Sequence, residues 1–267
     1  MLTLYFSTFI RYTAFFFLLK IKTTWDKYYK QNIDTALNDQ NLFSMEITAI
    51  KKNFYKKIKS QKKLNLKILE LGSGTGFLAS ELIKILKKEQ IDFSYIGIDF
   101  SQQAVKKAQS RKLKNCQFIE SDFFDYFKST FYKFDYIISQ RSIMAIMNDK
   151  EQKKLLKLIH FNLKKSGFGL FSECSKQSLK NIQQLRTQLS VKSFKKIWHS
   201  NYVDEKSFSQ IFSKSEKIDF CSTYYLITRI IYPYFEEPKH NTQLHLFASS
   251  LQQFGDYGLL KLFIVKP

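Results

Sequence analysis

The feature that most constrains this chain is a glycine-rich turn in the stretch Leu69–Phe77, which reads LELGSGTGF. An apolar run precedes the turn and a helical pattern of apolar residues follows it, so the glycines are predicted to join a strand to a helix. The chain contains only eight glycines, and Gly72, Gly74 and Gly76 occupy alternate positions here. Glycine permits positive φ and close approach of a ligand to the free amides of a helix N-terminus. The turn alone leaves two interpretations open, a ligand site or a turn built for packing.

Composition limits the class of protein but does not identify a partner. A length of 267 residues and a hydrophobic content of 44% predict one globular domain, with room for a smaller cap. The formal net charge is +20, but all except five of the 43 basic residues are lysine. The abundance of Lys, Phe, Ile, Asn and Tyr is typical of AT-rich coding. The excess of positive charge predicts attraction to anions without distinguishing phosphate, lipid and nucleic acid.

The three cysteines, Cys116, Cys174 and Cys221, are scattered along the chain and have no CxxC or Cys/His spacing. This pattern predicts buried thiols in a reducing compartment, with neither a disulfide framework nor a metal site. We therefore expect a cytoplasmic protein.

Residues 1–21 are the most apolar part of the chain, and Arg11 divides them into two runs. Each run is too short to span a bilayer, and together they barely reach the necessary length. A signal peptide would need a basic start and a small-residue cleavage site, and neither is found. Three interpretations remain: a peripheral membrane anchor, a helix packed on the domain, or an extension upstream of the true start. The predicted boundaries are an apolar extension over 1–24 and a helical lid segment over 25–63.

Alternating strand and helix patterns follow the glycine turn. Strands are predicted to end at Asp99, Glu120 and Gln140 and to resume at Gly167, with helices over 101–112 and 149–163 between them. This alternation predicts right-handed crossovers and a mostly parallel sheet.

The carboxyl-terminal part is less regular. We predict helices over 177–190 and 205–213, a sixth strand from Ile218 to Tyr232, a long connection over 233–256, and a last strand in GLLKLFIVKP. A cap insertion is predicted over 174–215.

Acidic residues follow the glycine turn at the ends of the next two strands. Asp99 ends the second strand some twenty residues after the glycines, where a carboxylate can accept hydrogen bonds from both hydroxyls of a ribose. Asp122 lies just beyond the third strand. A loop aspartate or a helix cap is the alternative interpretation for Asp99.

Together these residues resemble the class I S-adenosylmethionine-dependent methyltransferases. The first motif of that family, an acidic residue followed by G-x-G-x-G, is matched by Glu70 and the three glycines. Its second and third acidic positions are matched by Asp99 and Asp122, and its fourth motif by FDYII. The segment LKKSGFGLF is similar to the turn before the fifth strand, although Ser166 stands where glycine is usual.

The resemblance implies an α/β fold: a Rossmann-like, mostly parallel seven-stranded sheet with helices on both faces, an antiparallel last strand and a small helical cap. It places the methyltransferase domain over 64–267, with S-adenosyl-L-methionine as cofactor and no metal. The residues that it implies for cofactor binding are Glu70, Gly72, Ser73, Gly74, Gly76, Asp99, Phe100, Asp122, Phe123 and Gln140.

The carboxyl-terminal half resembles a bacterial group of small-molecule or glycan methyltransferases more weakly. The matching segments are the QR after the fourth strand, WHSNY, STYYLITR and FGDYG. This implies a small-molecule or glycan acceptor, with methylation at oxygen. It implies neither a nucleic-acid partner nor any particular oligomer.

A hydroxyl acceptor needs a general base, and a histidine with a pKa near the working pH is the natural candidate. His199 lies in the predicted cap, and Glu173, at the end of the fifth strand, is its rival. Arg141 is a candidate to hold an anionic group of the substrate, with a surface ion pair as the alternative. Secondary candidates are Tyr224, Tyr225 and Arg229 for substrate contact and Trp25 and Tyr29 for a lid.

Other functions remain open. Gly74, Gly76 and Ala79 also satisfy a relaxed dinucleotide fingerprint, and Tyr202 and Lys206 have a Y-x-x-x-K spacing, which together would suit an NAD(P)-dependent dehydrogenase. The positive charge would suit an RNA methyltransferase, but no NPPY-like tetrad follows the fourth strand. A non-enzymatic scaffold is the last alternative.

Overall fold

The computed structural model describes residues 20–30, 38–61, 65–194, 197–237 and 239–267. The predicted apolar extension lies outside the described residues up to residue 19. The same is true of residues 31–37, 62 and 63 of the predicted lid segment, 195 and 196 of the predicted cap, and 238 of the predicted connection. Among the described helices, none combines the length and apolarity needed to cross a bilayer.

A seven-stranded sheet forms the centre of the domain, in the order β3-β2-β1-β4-β5-β7-β6. Strands β1 to β5 pair in parallel, whereas β7 is antiparallel to both of its neighbours, β5 and β6. The strands are β1 Asn65–Leu71, β2 Asp92–Asp99, β3 Cys116–Glu120, β4 Phe134–Gln140, β5 Leu163–Cys174, β6 Lys214–Ile218 and β7 Leu260–Lys266. The predicted fold class, with its mostly parallel sheet and antiparallel last strand, is confirmed.

Helices cover both faces of the sheet. The described part of α1 spans 20–29, and it crosses the predicted boundary between residues 24 and 25 without interruption. The other helices are α2 Gln40–Gln61, α3 Phe77–Lys88, α4 Gln102–Ser110, α5 Phe123–Ser129, α6 Asp149–Asn162, α7 Lys176–Gln188, α8 Glu205–Ile211, α9 Ser222–Tyr225, α10 Tyr232–Phe235 and α11 Gln243–Ser250. A 3-10 turn, Ile143–Ala145, follows β4.

The alternation of side chains along each strand divides the core in two. Ile68 of β1 and Ile138 of β4 point to the face covered by α2, α3 and α4. Leu69 of β1 and Ile137 of β4 point to the opposite face, covered by α5, α6 and α8. Both layers of apolar side chains are thus buried, as the near-continuous apolar strands predict.

The predicted sixth strand from Ile218 to Tyr232 is wrong. From Ser222 that run is helical, because α9 continues through a π-helical segment, Leu226–Ile231, into α10. The actual β6 has the sequence KSEKI and ends at the first residue of the run, Ile218, and four of its five side chains are exposed. Strand β6 is an edge strand that pairs with β7 through backbone hydrogen bonds, so its sequence lacks the apolar alternation that would predict a strand. The run after it is apolar on all sides, so its hydrophobic periodicity does not distinguish a helix from a strand.

The predicted long connection over 233–256 is wrong as well, because it contains the end of α10 and all of α11. His245 and Ala248 of α11 are fully buried, so tertiary packing stabilises this short helix.

Candidate functional site

A cleft of about 1130 Å³ lies at the carboxyl ends of the parallel strands. It extends from the end of β3 at Glu120 to the start of β7 at Leu260. The carboxyl edge of an open parallel sheet is where ligands bind in such folds. The loops after β1, β2, β3 and β4 all contribute to its lining.

The glycine turn forms one wall of the cleft. Gly72, Gly74 and Gly76 have φ of 69°, 51° and 73°, a left-handed conformation that L side chains rarely adopt. The amides of Gly72 and Ser73 donate hydrogen bonds to Ile98 of β2 at 2.8 and 3.0 Å, which fixes the turn against the next strand. Gly72, Ser73 and Gly74 line the cleft, whereas Gly76 packs beneath it against Phe118.

Asp99 connects the glycine turn to the loop after β2. Its carboxylate accepts hydrogen bonds from the amides of Gly74 and Ser101, each at 2.9 Å. Its side chain lines the cleft together with Phe100, although only 4% of Asp99 is exposed. Burial raises the pKa of this carboxyl to about 6, against the opposing effect of the two amide hydrogen bonds. A carboxylate in this position is an acceptor for hydroxyl groups of a ligand.

Glu70 lies below the cleft, in contrast to Asp99. Its side chain is buried in β1 and accepts a hydrogen bond from the hydroxyl of Tyr95 at 2.7 Å. Burial raises the pKa of Glu70 to about 8, so the carboxyl is protonated at neutral pH. Among the predicted cofactor residues, Glu70 and Gly76 are thus placed behind the turn, where they shape it without reaching the cleft.

The wall beyond β3 begins with Asp122. This residue caps α5 by accepting hydrogen bonds from the amides of Phe124 and Asp125 at 2.7 and 3.4 Å. Asp122 and Phe123 both line the cleft. The exposed carboxylate and the adjacent buried ring offer an acceptor and an apolar surface side by side, which suits the edge and face of a nucleobase.

The turn after β4 is held from below by a glutamate that the sequence analysis missed. Glu46 of α2 is fully buried, and its Oε2 accepts hydrogen bonds from Gln140 Nε2 at 2.8 Å and Arg141 Nε at 3.1 Å. Its Oε1 accepts from the hydroxyl of Ser172 at 2.6 Å. Gln140 and Arg141 both line the cleft, and Arg141 is in a left-handed conformation with φ of 56°.

A signal for Glu46 exists in the sequence. The residue lies four positions after Leu42 and four before Ile50, on the buried stripe of α2. A glutamate on an apolar helix face needs partners, because an unpaired buried charge is unstable.

Glu173, the rival candidate for a general base, lies outside the cleft lining. It is fully buried at the end of β5 and accepts hydrogen bonds from the hydroxyl of Ser139 at 2.7 Å and from the amides of Ser142, Ile143 and Met144 at 3.0 to 3.1 Å. Burial raises the pKa of Glu173 to about 7, while these four donors favour its ionised form. This carboxylate anchors the 3-10 turn after β4.

His199 is placed in the cleft, under the aromatic residues of α1. Its ring lies 5.6 Å from that of Trp25, edge to face, and Trp25 stacks on Tyr29 at 5.9 Å between ring centroids. Nδ1 of His199 is buried and has no hydrogen-bond partner among the residues that the structure describes, and burial lowers the pKa of the ring. The ring is therefore neutral at physiological pH, as a proton acceptor must be.

Helix α1 lies over the glycine turn. A Cβ on Gly74 would be 3.1 Å from the Tyr29 hydroxyl, so the tyrosine is in contact with the turn. The hydroxyl of Ser101 donates a hydrogen bond to Asp26 at 2.5 Å, which ties α1 to the start of α4. Trp25 and Tyr29 both line the cleft, as a covering lid would.

The remaining candidates divide between the cleft and the core. Tyr225 lines the cleft, but Tyr224 and Arg229 bind the buried carboxylate of Asp39 instead. Of the pair with dehydrogenase-like spacing, Tyr202 lines the cleft and Lys206 is exposed on α8.

Comparisons with known proteins identify similar sequences and folds. A family model described as "Methyltransferase domain" matches residues 62–216. A release factor glutamine methyltransferase of Haemophilus influenzae is 40% identical over 82 residues, which are 28% of this chain and 27% of that protein. The chain therefore spans about a quarter of the length of this curated relative.

Two solved structures are similar over nearly the whole chain. The plantazolicin methyltransferase BpumL, in complex with a triazolic desmethylPZN analog and SAH, has a TM-score of 0.54 at 14% identity, over 91% of this chain and 90% of its own. The magnesium protoporphyrin IX methyltransferase ChlM of Synechocystis PCC 6803, with bound SAH, has a TM-score of 0.55 at 12% identity, over 92% of this chain and 95% of its own. At such identities the likeness shows a common fold.

Proposed function

Because the chain belongs to the methyltransferase domain family and has the class I fold, we propose that it transfers a methyl group from S-adenosyl-L-methionine to an oxygen atom of a small molecule. The observation that carries this proposal is the hydrogen bond from the amide of Gly74 to the carboxylate of Asp99 at 2.9 Å, at the cleft wall where Gly72 and Gly74 are in a left-handed conformation. At that wall a ligand can approach the backbone closely, which suits the amino acid part of this cofactor. The adjacent carboxylate suits its ribose hydroxyls.

The cofactor would lie along the half of the cleft formed by β1, β2 and β3. Asp99 would accept hydrogen bonds from the ribose hydroxyls, and Asp122 would accept one from the amino group of adenine, which would lie against the ring of Phe123. The backbone of residues 72–74 would face the amino acid part. All of these residues line the cleft.

When bound, S-adenosylmethionine supplies an electrophilic methyl group on a sulfonium, and the sulfur keeps the electron pair of the broken C–S bond. The protein's task is then to hold the acceptor oxygen in line with that methyl group and to receive the hydroxyl proton. Alignment of this kind accounts for roughly 7 kcal/mol or more of barrier reduction in favourable cases.

His199 is the residue that we propose to receive the proton. It is in the cleft, its pKa is lowered by burial, and its ring is neutral at the working pH. Glu173 has its carboxylate engaged by four donors below the cleft, which favours His199 over it. Arg141 lines the cleft, and its Nε donates a hydrogen bond to Glu46.

Calorimetric titration with S-adenosylhomocysteine tests the proposal. The wild-type chain should bind it, and Gly74→Trp should abolish binding, because Tyr29 already lies 3.1 Å from the position of a Cβ and the indole would have to enter the cleft. Gly74→Trp should keep the far-ultraviolet circular dichroism spectrum of the wild type. Unchanged affinity in this variant, or binding of NADH but not S-adenosylhomocysteine by the wild type, would refute the assignment.

A further inference from the structure

The volume of the cleft lies just above the range of pockets that hold a single ligand. Pockets for single drug-sized molecules have volumes of about 300–1,000 Å³, and this cleft has about 1130 Å³. It also crosses six of the seven strands, from β3 to β7, and neighbouring strands are about 4.8 Å apart. A cofactor over β3, β2 and β1 leaves the part over β4, β5 and β7 for the acceptor.

The two halves of the cleft differ in chemistry. The half over β3, β2 and β1 presents Ser73, Asp99, Asp122 and the exposed amides of the turn. The half over β4, β5 and β7 is lined mainly by apolar side chains from four separate segments of the chain, among them Met144, Ile146, Met147, Ile197, Tyr225 and Leu259. Among its polar side chains, Gln140 donates to Glu46, Ser142 donates to the carbonyl of Gln140, and Asn148 accepts from the amides of Lys150 and Glu151.

In the described part of the chain, few charged side chains line the apolar half. Arg141 lies there, and its Nε donates a hydrogen bond to the buried carboxylate of Glu46. Glu151 and Lys154 also line the cleft, but they pair with each other at 3.4 Å, and Lys154 lies 5.0 Å from the ring of Phe124 on α5. The side chain of Lys154 is 61% exposed and that of Glu151 46%, so the pair lies at the rim.

This lining determines which acceptors are favourable. A sugar carries several hydroxyls, and each hydroxyl that leaves water without a new hydrogen-bond partner weakens binding. An apolar molecule gains from burial against the same surface. Aromatic side chains at the site, including Trp25, His199 and Tyr202, favour a ring, because aromatic rings attract one another beyond simple burial.

We propose that the acceptor is an apolar, ring-bearing alcohol or phenol with one reacting hydroxyl, and not a sugar; this inference rests on the proposed methyl transfer. In the reaction the acceptor oxygen forms a bond to the methyl carbon, and the C–S bond of the cofactor breaks with its electrons retained by sulfur. The hydroxyl proton passes to a ring nitrogen of His199. The products are a methyl ether and S-adenosylhomocysteine.

The test uses the full chain loaded with S-adenosylhomocysteine and two probes, 2-naphthol and N-acetylglucosamine. We expect 2-naphthol to bind, followed by its fluorescence, and N-acetylglucosamine to bind at least tenfold more weakly or not at all. Failure of 2-naphthol to bind, or tighter binding of the sugar, would overturn the inference. Failure of S-adenosylhomocysteine to bind would refute the proposed function itself, so the two failures are distinguishable.

A variant pair locates the probe. Met147 lines the cleft and is only half-buried, so Met147→Asp should fold, weaken 2-naphthol binding at least tenfold and leave the affinity for S-adenosylhomocysteine unchanged. Phe131→Asp is the control, because Phe131 is 94% exposed and outside the cleft lining. It should change neither affinity. Equal 2-naphthol affinities in the Met147 variant and the wild type would place the probe elsewhere and overturn the inference.

Discussion

The side chain of Arg141 donates a hydrogen bond from Nε to Glu46 at 3.1 Å, which joins the turn after β4 to a helix 95 positions earlier in the chain. Glu46 is fully buried and also accepts from Gln140 and Ser172. One carboxylate thus holds two residues of the cleft floor and the strand beneath them. Its loss would leave three donors, one of them charged, without this acceptor.

Glu46→Ala should therefore lower the free energy of unfolding by about 3–5 kcal/mol, as expected when one partner of a buried ion pair is removed. Urea denaturation followed by circular dichroism measures this change. Asp125→Ala, which breaks an exposed pair with Lys128, is the control and should have a much smaller effect. Equal effects in the two variants would show that the Glu46 network does not stabilise the fold.

Gly72 is the glycine for which the structure predicts the most severe effect of a side chain. An added Cβ would lie 2.0 Å from the hydroxyl oxygen of Ser142 and 2.5 Å from its Cβ, at a φ of 69°. Overpacking costs about 1–3 kcal/mol and a left-handed L residue about 1–2 kcal/mol. Gly72→Ala should thus destabilise the fold by about 2–5 kcal/mol in thermal or urea unfolding.

The double variant Gly72→Ala/Ser142→Gly separates the two causes. Removing the Ser142 side chain relieves the clash and leaves the backbone strain, so part of the lost stability should return. Gly74→Ala is the comparison, since its Cβ would meet the Tyr29 hydroxyl at 3.1 Å. It should be milder than Gly72→Ala, and the reverse order would contradict the packing seen between Gly72 and Ser142.

Local sequence patterns predict the strands and turns that form the half of the site proposed for the cofactor. The glycines at alternate positions and Asp99 at the next strand end have signals within a few residues, and the structure brings them together at 2.9 Å. The structure of the half proposed for the acceptor depends on contacts between segments that are distant in the sequence, such as the hydrogen bond between Arg141 and Glu46. Sequence spacing contains little information about such contacts.

The sequence also could not predict on which side of the cleft floor the carboxylate of Glu173 lies. An acidic residue at a strand end is equally compatible with a carboxylate in the cleft and with one below it. The structure places this carboxylate below, with the amides of Ser142, Ile143 and Met144 as donors. The direction of a side chain at the end of a strand depends on the conformation of the neighbouring loop, which the strand pattern does not determine.

Cofactor affinity should depend on pH through Asp99. Burial raises the pKa of this carboxyl from 3.8 to about 6, and a ribose needs the ionised form as acceptor. Affinity for S-adenosylhomocysteine should therefore weaken as the pH falls below about 6, by at most tenfold per pH unit for one proton. Titration calorimetry between pH 5 and about 8 measures this dependence.

Asp99→Asn is the matched variant, because it keeps the shape and removes the titration. It should bind more weakly at neutral pH and lose the dependence near pH 6. The stability of the ligand-free fold should depend on pH in the opposite direction. Because the carboxyl pKa is raised on folding, the folded chain binds the proton more tightly than the unfolded chain. The free energy of unfolding should therefore fall as the pH rises from 3.8 to about 6. An unchanged pH profile in Asp99→Asn would assign the dependence to another group.

His199 and Glu173 make opposite predictions for the reaction. If His199 receives the proton, His199→Gln should lower kcat by roughly 10²-fold or more while leaving cofactor affinity unchanged. Since burial lowers its pKa from 6.5, the wild-type rate should rise with pH through a midpoint below 6.5 and be level at neutral pH. The variant should lack this rise.

Glu173→Gln should act mainly on stability instead, because the carboxylate holds three amides and a hydroxyl beneath the cleft. Its kcat, measured at a temperature where the variant remains folded, should stay within about tenfold of the wild type, well short of the loss expected for a general base. The acceptor for these rates is the one identified with labelled cofactor. A Glu173 variant that folds normally but loses the pH-dependent limb would make Glu173 the base, and His199 would then serve only to shape the cleft beside Trp25.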